Sequence, residues 1–102
     1  MSDRVALVTG STSGIGEAIA RRLSRDGYRV ALHGRRQADL GRAMAAELPG
    51  ASYHQVDLAD VEHAGKLVRD VVAHHGRLDV LVNNAGIVAR FPHADLKAAT
   101  PE

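Results

Sequence analysis

The chain has 102 residues, of which 45% are hydrophobic and 25% charged, an ordinary composition for one globular domain. A formal net charge of +1 and an aromatic content of 3% argue against nucleic acid or an anionic membrane as a partner. Because the chain has no cysteine, disulfides, thiolate metal sites and thiol catalysis are excluded. The histidines show no ligand spacing, so we expect no metal site.

The apolar run near the N-terminus is far too short for a signal peptide or a membrane span, which favours the cytoplasm. Within it, residues 5–9 form a β-branched run that predicts a first strand, bounded by Gly10. A helix pattern follows over about residues 14–26. Its apolar residues recur at every fourth position, at Ile15, Ile19 and Leu23.

The rest of the chain continues the same alternation of strand and helix patterns. Residues 28–32 predict the second strand, 37–48 the second helix and 52–56 a weaker third strand near a sheet edge. Residues 60–75 predict a third helix with Asp60 as its N-cap, and residues 78–82 a fourth strand. The expected apolar faces are Leu40, Met44 and Leu48 in the second helix and Val61, Ala64, Val68, Val71 and Val72 in the third.

This order of elements predicts an α/β fold, because parallel strands need helical crossovers and those crossovers are right-handed. The first and fourth strands are the most continuously apolar, which is typical of central strands covered on both faces. We therefore predict a Rossmann-like doubly wound parallel sheet with the strand order 3-2-1-4.

A glycine-rich stretch, "TGSTSGIG" over residues 9–16, joins the first strand to the first helix. Glycines there allow a sharp turn and a close approach to a ligand, and the amides at the helix start favour a phosphate. The spacing Gly-x-x-x-Gly-x-Gly differs from the usual Gly-x-Gly-x-x-Gly fingerprint. On composition alone, a plain strand-to-helix turn is the alternative.

That spacing resembles the Thr-Gly-x-x-x-Gly-x-Gly signature of short-chain dehydrogenases/reductases of the non-extended branch. Two further family marks, "VDL" at residues 56–58 and "NNAG" at residues 83–86, stand where the third and fourth strands should end. The resemblance runs over about residues 5–86, less than half of the family's domain. It implies that residues 1–102 are the N-terminal cofactor-binding part of a single, incomplete domain with a truncated sheet.

The resemblance also implies a set of residues that bind the cofactor. The loop that would wrap the pyrophosphate and the adenosine ribose consists of Gly10, Ser11, Thr12, Ser13, Gly14, Ile15 and Gly16. Asp57 would accept a hydrogen bond from the adenine amino group, with Leu58 beside the ring. The residues that would line the ribose side are Asn84, Ala85 and Gly86, while Asn83 would tie the fourth strand to the Thr9 region. The alternatives are a strand-ending turn for residues 83–86 and a solvated loop carboxylate for Asp57.

The stretch "HGRR", residues 33–36, indicates which dinucleotide is bound. In this fold the residue after the second strand meets the adenosine ribose, and an acid there binds the 2′-hydroxyl of NAD. Gly34 stands where NAD-type members of the family usually carry Asp, and no acid precedes Asp39. Arg35, supported by Arg36, could bind a 2′-phosphate, so NADP is favoured over NAD. Two exposed loop arginines are the alternative.

The catalytic pair of the family, Tyr-x-x-x-Lys, is absent, because Tyr28 is followed four residues later by Leu32 and Tyr53 by Asp57. We therefore assign no catalytic residue. The complete protein would be an oxidoreductase that moves hydride between NADP(H) and a small alcohol/carbonyl substrate, as a homo-oligomer. The alternative is a non-catalytic nucleotide-binding module or redox sensor. Without a fifth strand beside the fourth, we expect the chain alone to be marginally stable.

Overall fold

The computed structural model describes residues 3–12, 14–36, 38–58 and 61–84. Within these ranges strands and helices alternate in the order β1 (Val5–Val8), α1 (Gly14–Arg25), β2 (Arg29–Gly34), α2 (Ala38–Glu47), β3 (Ser52–Gln55), α3 (Val61–His75) and β4 (Val80–Val82). Several predictions concern residues outside the described ranges, namely the roles of Ser13, Ala85 and Gly86 and the N-cap at Asp60.

The strands form one parallel sheet in the order β3-β2-β1-β4, which confirms the predicted doubly wound, Rossmann-like arrangement. Leu7 in β1 lies opposite Ala31 of β2 and Leu81 of β4. Because all strands run the same way, their carboxyl ends meet at one edge of the sheet, where ligands bind in this class of fold.

Buried apolar side chains cover both faces of the sheet. Successive residues of a strand point to opposite faces, so β1, buried at all four positions, contributes to both groups. The group on the α3 side consists of Val5, Leu7, Ala31, Leu58, Ala64, Leu67 and Val71. The group on the side of α1 and α2 consists of Val8, Ala20, Val30, Leu32 and Met44.

Strand β2 is longer than the sequence indicates. The prediction ended it at Leu32, whereas the structure continues it through His33 and Gly34, which pair with His54 and Gln55 of β3. The composition of these two residues is typical of a loop, but Ser11 bonds to both backbone groups of His33, and the Gly34 carbonyl accepts from the Val56 N–H. This extension carries His33 and Gly34 to the sheet edge where the glycine loop lies.

The predicted apolar faces of all three helices need correction, and in α2 the exception is Leu40, which is 43% exposed. In α3 the buried face includes Leu67, which is 1% exposed and was not predicted, whereas Val61 is 54% exposed. Ala64, Leu67 and Val71 follow the i, i+3, i+7 pattern, so the helix turns that stripe towards the sheet. In α1, Ile15 is 72% exposed instead of lying in the core with Ile19.

Strand β4 forms an edge of the sheet within the described residues, as the predicted order 3-2-1-4 requires, although its apolar composition is typical of a central strand. Its Val80 and Val82 are half-buried and Leu81 is exposed. Its one strand neighbour in the described part of the chain is β1. In those same ranges, no helix has the length and apolar character needed to span a membrane.

Candidate functional site

The glycine loop between β1 and α1 lies at the carboxyl edge of the sheet. Gly10 and Gly14 have φ angles of 63° and 49°, in the left-handed region that strongly favours glycine. These two conformations lie in the segment that connects the end of β1 to the start of α1. The loop thus has the shape needed to place a helix N-terminus beneath a ligand.

Gly16 lets α1 pack directly on the end of β1. A Cβ atom at this position would overlap the carbonyl oxygen of Gly10 and lie 2.6 Å from Asn84 Nδ2. No other amino acid fits there without a shift of backbone atoms. The helix N-terminus is therefore fixed against both β1 and the residue that follows β4.

Thr9 and Asn84 join the glycine loop to the end of β4. The Asn84 N–H donates to Thr9 Oγ1 at 2.9 Å, and Asn84 Nδ2 donates to the Gly10 carbonyl at 3.2 Å. Thr9 N–H donates to the Val82 carbonyl at 3.0 Å. Asn83, expected to make this tie, has only a 3.4 Å contact from its Oδ1 to Thr9 Oγ1. Asn84 therefore provides most of the link.

Ser11 is fully buried and is committed to His33. Its N–H donates to the His33 carbonyl at 2.9 Å, and its hydroxyl accepts from the His33 N–H at 2.8 Å. The hydroxyl also donates to the same carbonyl at 3.2 Å. These bonds commit the Ser11 hydroxyl to the backbone of His33, so Ser11 contributes to the predicted cofactor loop by shaping it. Ser11 holds the loop against the end of β2.

The imidazole of His33 is the support that the sequence did not reveal. Gly10 N–H donates to His33 Nδ1 at 2.9 Å, and His33 Nε2 lies 2.8 Å from the Val56 carbonyl oxygen. Because Nδ1 accepts, the ring proton belongs on Nε2, where it is donated to Val56. Burial lowers the pKa of His33, which favours this neutral form, although the bond to Val56 acts in the opposite sense.

The open side of the loop has the features of an anion site. Apart from the chain neighbours of Gly14, no described residue lies within 4 Å of the position that its Cβ would occupy, and Ile15 is exposed beside it. The first amides of α1 have no partner within the helix, and the helix dipole favours negative charge there. The acid in this turn, Glu17, bonds to Arg21 at 2.9 Å.

Arg35 and Arg36 follow β2 directly, and both are exposed. Gln55 Nε2 donates to the Arg35 carbonyl at 3.3 Å, which fixes the start of this turn. Neither guanidinium forms an ion pair within the described part of the chain. Arg36 lines a shallow surface depression with Ala38, Asp39 and Leu40.

The two residues predicted to contact the adenine, Asp57 and Leu58, differ in their exposure. Asp57 is exposed after β3, and His63 Nδ1 lies 3.2 Å from its carbonyl oxygen. Leu58 is only 6% exposed and packs in the core on the α3 side, so little of its side chain is left to face an adenine ring. Half-buried Thr12 lies near Gly34.

A glycine loop that leads into a helix N-terminus, at the carboxyl edge of a parallel sheet, defines a dinucleotide-binding α/β protein. The sequence pattern described as short chain dehydrogenase matches residues 4–102, and the chain belongs to this family. The cofactor of the family is a nicotinamide dinucleotide, and the residues around the loop fit its pyrophosphate. No group of His, Asp or Glu in the described ranges could hold a metal ion.

Similar proteins agree with this assignment. The chain is 54% identical over 98 residues to "Granaticin polyketide synthase putative ketoacyl reductase 2" of Streptomyces violaceoruber, covering 96% of this chain and 39% of that protein. A short chain dehydrogenase from Burkholderia cenocepacia, solved in complex with NADP, superimposes with a TM-score of 0.79 at 37% identity, over 95% of this chain and 43% of the other.

An alcohol dehydrogenase from Thermococcus sibiricus, complexed with 5-hydroxy-NADP, superimposes with a TM-score of 0.70 at 38% identity. That match covers 76% of this chain and 35% of the other. The chain therefore spans less than half the length of each of these three proteins.

Proposed function

We propose that this chain is the NADP(H)-binding part of a short-chain dehydrogenase/reductase, within a single domain. The observation that carries the proposal is the end of β2, where Gly34 has no side chain and the exposed Arg35 and Arg36 follow. Both arginines lie beyond the strand that supports the glycine loop through His33 and Ser11.

The preference for NADP follows from charge and geometry. An acid at the end of β2 would accept a hydrogen bond from the 2′-hydroxyl of NAD and repel the 2′-phosphate of NADP. Gly34 offers no carboxylate, and a guanidinium binds a phosphate through two parallel hydrogen bonds. The bound NADP and 5-hydroxy-NADP of the two solved relatives support this choice.

The complete protein would transfer hydride between NADP(H) and a small alcohol/carbonyl substrate. In the direction of reduction, hydride adds to the carbonyl carbon while a general acid protonates the oxygen. This chain has no Tyr-x-x-x-Lys pair, so the residues that move the proton would be contributed from outside residues 1–102. The ketoacyl reductase name of the Streptomyces relative supports a carbonyl substrate, and we propose that the complete protein is a homo-oligomer.

The proposal is tested by fluorescence titration of the chain with NADPH and NADH. We expect tighter binding of NADPH, and we expect Arg35→Ala to weaken NADPH by about tenfold or more while leaving NADH nearly unchanged. Arg69→Ala, which removes an exposed arginine on α3, is the matched control. Equal affinities for the two cofactors in the unaltered chain would contradict the NADP preference.

A second measurement addresses the reaction. The reading frame that contains this chain is expected to encode a Ser and a Tyr-x-x-x-Lys after residue 102, and the complete protein should oxidise NADPH in the presence of a carbonyl compound. Cofactor binding without turnover, together with a missing Tyr-x-x-x-Lys, would identify a nucleotide-binding module or redox sensor instead.

A further inference from the structure

Tyr53 in β3 lies directly beside the proposed 2′-phosphate site. It pairs in register with Leu32 of β2, so its side chain lies on the same face of the sheet as Leu32 and Gly34. Its hydroxyl is buried and has no hydrogen-bond partner among the described residues. The position of this hydroxyl limits the size of the side chain that residue 34 can have.

The hydroxyl of Tyr53 occupies the space that a side chain at residue 34 would need. A Cβ atom built on Gly34 would lie 2.6 Å from Tyr53 Oη, well inside van der Waals contact. The same atom would lie 3.3 Å from both Cγ2 and Oγ1 of Thr12. Gly34 has no positive φ, so space rather than backbone conformation limits this position.

The ring of Tyr53 has no room to retreat, because its other face lies on Gly41 of α2. A Cβ on Gly41 would overlap Cδ1 and Cε1 of the ring and lie 2.6 Å from Cζ. A tyrosine ring is rigid, so a clash at its hydroxyl is transmitted to β3 and α2. Gly34, Tyr53 and Gly41 therefore form one packed stack across β2, β3 and α2.

We propose that Tyr53 is a specificity-determining residue of this chain, which keeps residue 34 free of a side chain and so excludes the acid that would select NAD. The preference for NADP is then built into the packing between β2, β3 and α2 as well as into Arg35. The inference rests on the proposed function, because it assumes that the end of β2 meets the adenosine ribose.

The experiment compares the unaltered chain with Gly34→Asp, Tyr53→Phe and the double variant, by thermal unfolding and by titration with NADPH and NADH. Phe removes only the overlapping atom, and the hydroxyl has no hydrogen bond to lose. We expect Gly34→Asp to lower Tm by about 5 °C or more, and Tyr53→Phe to recover at least half of that loss. The double variant should bind NADH about tenfold more tightly than Gly34→Asp does.

The controls separate this clash from other effects of an added charge. Gly34→Ala adds a single carbon at residue 34 and covers the case in which Gly34→Asp does not fold. Its Tm is measured with and without Tyr53→Phe, in the same comparison as for Gly34→Asp. Tyr28→Phe alters the other tyrosine, whose ring lies 4.6 Å from the Arg4 guanidinium carbon, and should not rescue Gly34→Asp.

Two results would overturn the proposal. One is a Gly34→Asp variant that keeps its Tm and gains NADH affinity while Tyr53 is intact. The other is a loss of Tm on Gly34→Asp that is as large in the Tyr53→Phe background as in the unaltered chain, together with the same result for Gly34→Ala. If the unaltered chain binds neither cofactor, the proposed function and the specificity role both fail, whereas the Tm values still decide whether the two positions clash.

Discussion

His33 joins three segments of the chain at the carboxyl edge of the sheet. Its backbone pairs with Ser11, its Nδ1 accepts from Gly10, and its Nε2 reaches the Val56 carbonyl after β3. A neutral imidazole with one donor and one acceptor satisfies both ring contacts at once. The loop that would meet the pyrophosphate is thus positioned by side chains that need not touch the ligand.

At Gly16 a single added carbon is expected to disturb the same loop from the other side. Gly16→Ala would drive a methyl group into the Gly10 carbonyl and towards Asn84 Nδ2, 2.6 Å away. We expect the free energy of unfolding to fall by about 1–3 kcal/mol and the affinity for NADPH to fall with it. Urea denaturation and fluorescence titration measure these two quantities.

Gly65→Ala is the matched control for this substitution. Gly65 lies within α3, and the nearest atom to an added Cβ would be Arg69 Nη1 at 3.4 Å. Because alanine favours helix more than glycine, this variant should gain up to about 1 kcal/mol. A Gly16→Ala variant that is as stable as the unaltered chain would contradict the close packing of α1 on the loop.

At the scale of elements, Leu67 helps to hold α3 to the sheet, because it is 1% exposed and belongs to the same buried core group as Leu7 and Val71. Leu67→Ala is expected to cost about 2–5 kcal/mol of unfolding free energy, because it removes buried methyl groups and leaves a cavity. Val72→Ala, at an exposed position of the same helix, should cost less than about 1 kcal/mol. Equal losses in urea denaturation would show that α3 docks through another face.

Helix α3 also shows why the buried face could be predicted only in part. The sequence has apolar residues at 61, 64, 67, 68, 71 and 72, which cover more than one side of a helix. Periodicity alone therefore does not decide whether Val61 or Leu67 faces the sheet. The choice depends on how the helix lies across β1 and β4, and that angle is set by packing rather than by local sequence.

The sequence indicated those parts of the site that are close together along the chain, but not those that the fold brings together. The glycine loop and the arginines after β2 are contiguous in sequence, so their spacing could be recognised directly. The contacts of His33 join residues 22 or 23 positions apart, and the bond between Asn84 and Thr9 joins residues 75 positions apart. These partners become neighbours only once the sheet has formed, so the sequence pattern did not indicate them.

At the scale of the whole molecule, the strand order was predictable because few topologies satisfy the rules for parallel strands and right-handed crossovers. The sequence could not show how far each strand extends or how deeply its side chains are buried. Leu81 on β4 is exposed, although the run from residue 78 to 82 is as apolar as a covered strand. The apolar composition of β4 therefore predicted more burial than this strand has among the described residues.

A second group of histidines, away from the glycine loop, links the start of β3 to the end of α3. The Ser52 hydroxyl lies 2.8 Å from both His54 Nε2 and His75 Nε2. Burial, followed by the charges of His74 and His54, lowers the pKa of His75 to about 4. Burial and the charge of His74 also lower the pKa of His54, with Asp70 opposing.

The chain is therefore expected to lose stability in mild acid. The pKa values of His33, His54 and His75 are lowered in the folded chain, so the unfolded chain binds more protons below the ordinary histidine pKa of about 6.5. Their contribution is complete above pH 6.5 and is lost as the pH falls towards about 4, the folded pKa of His75. Thermal unfolding between pH 4.5 and 8 should show Tm falling below about pH 6.5.

Replacing His75 separates this effect from general acid denaturation. His75→Gln keeps a polar partner for the Ser52 hydroxyl but does not titrate, so the fall in Tm between pH 6.5 and 4.5 should become shallower. His63→Gln removes an exposed histidine outside the Ser52 group and serves as the control. Asp79, whose pKa is lowered by its bond to Arg77, titrates below this window and should not contribute. A Tm that is constant from pH 8 to 4.5, or equal slopes in both variants, would contradict the assignment of the acid sensitivity to these buried imidazoles.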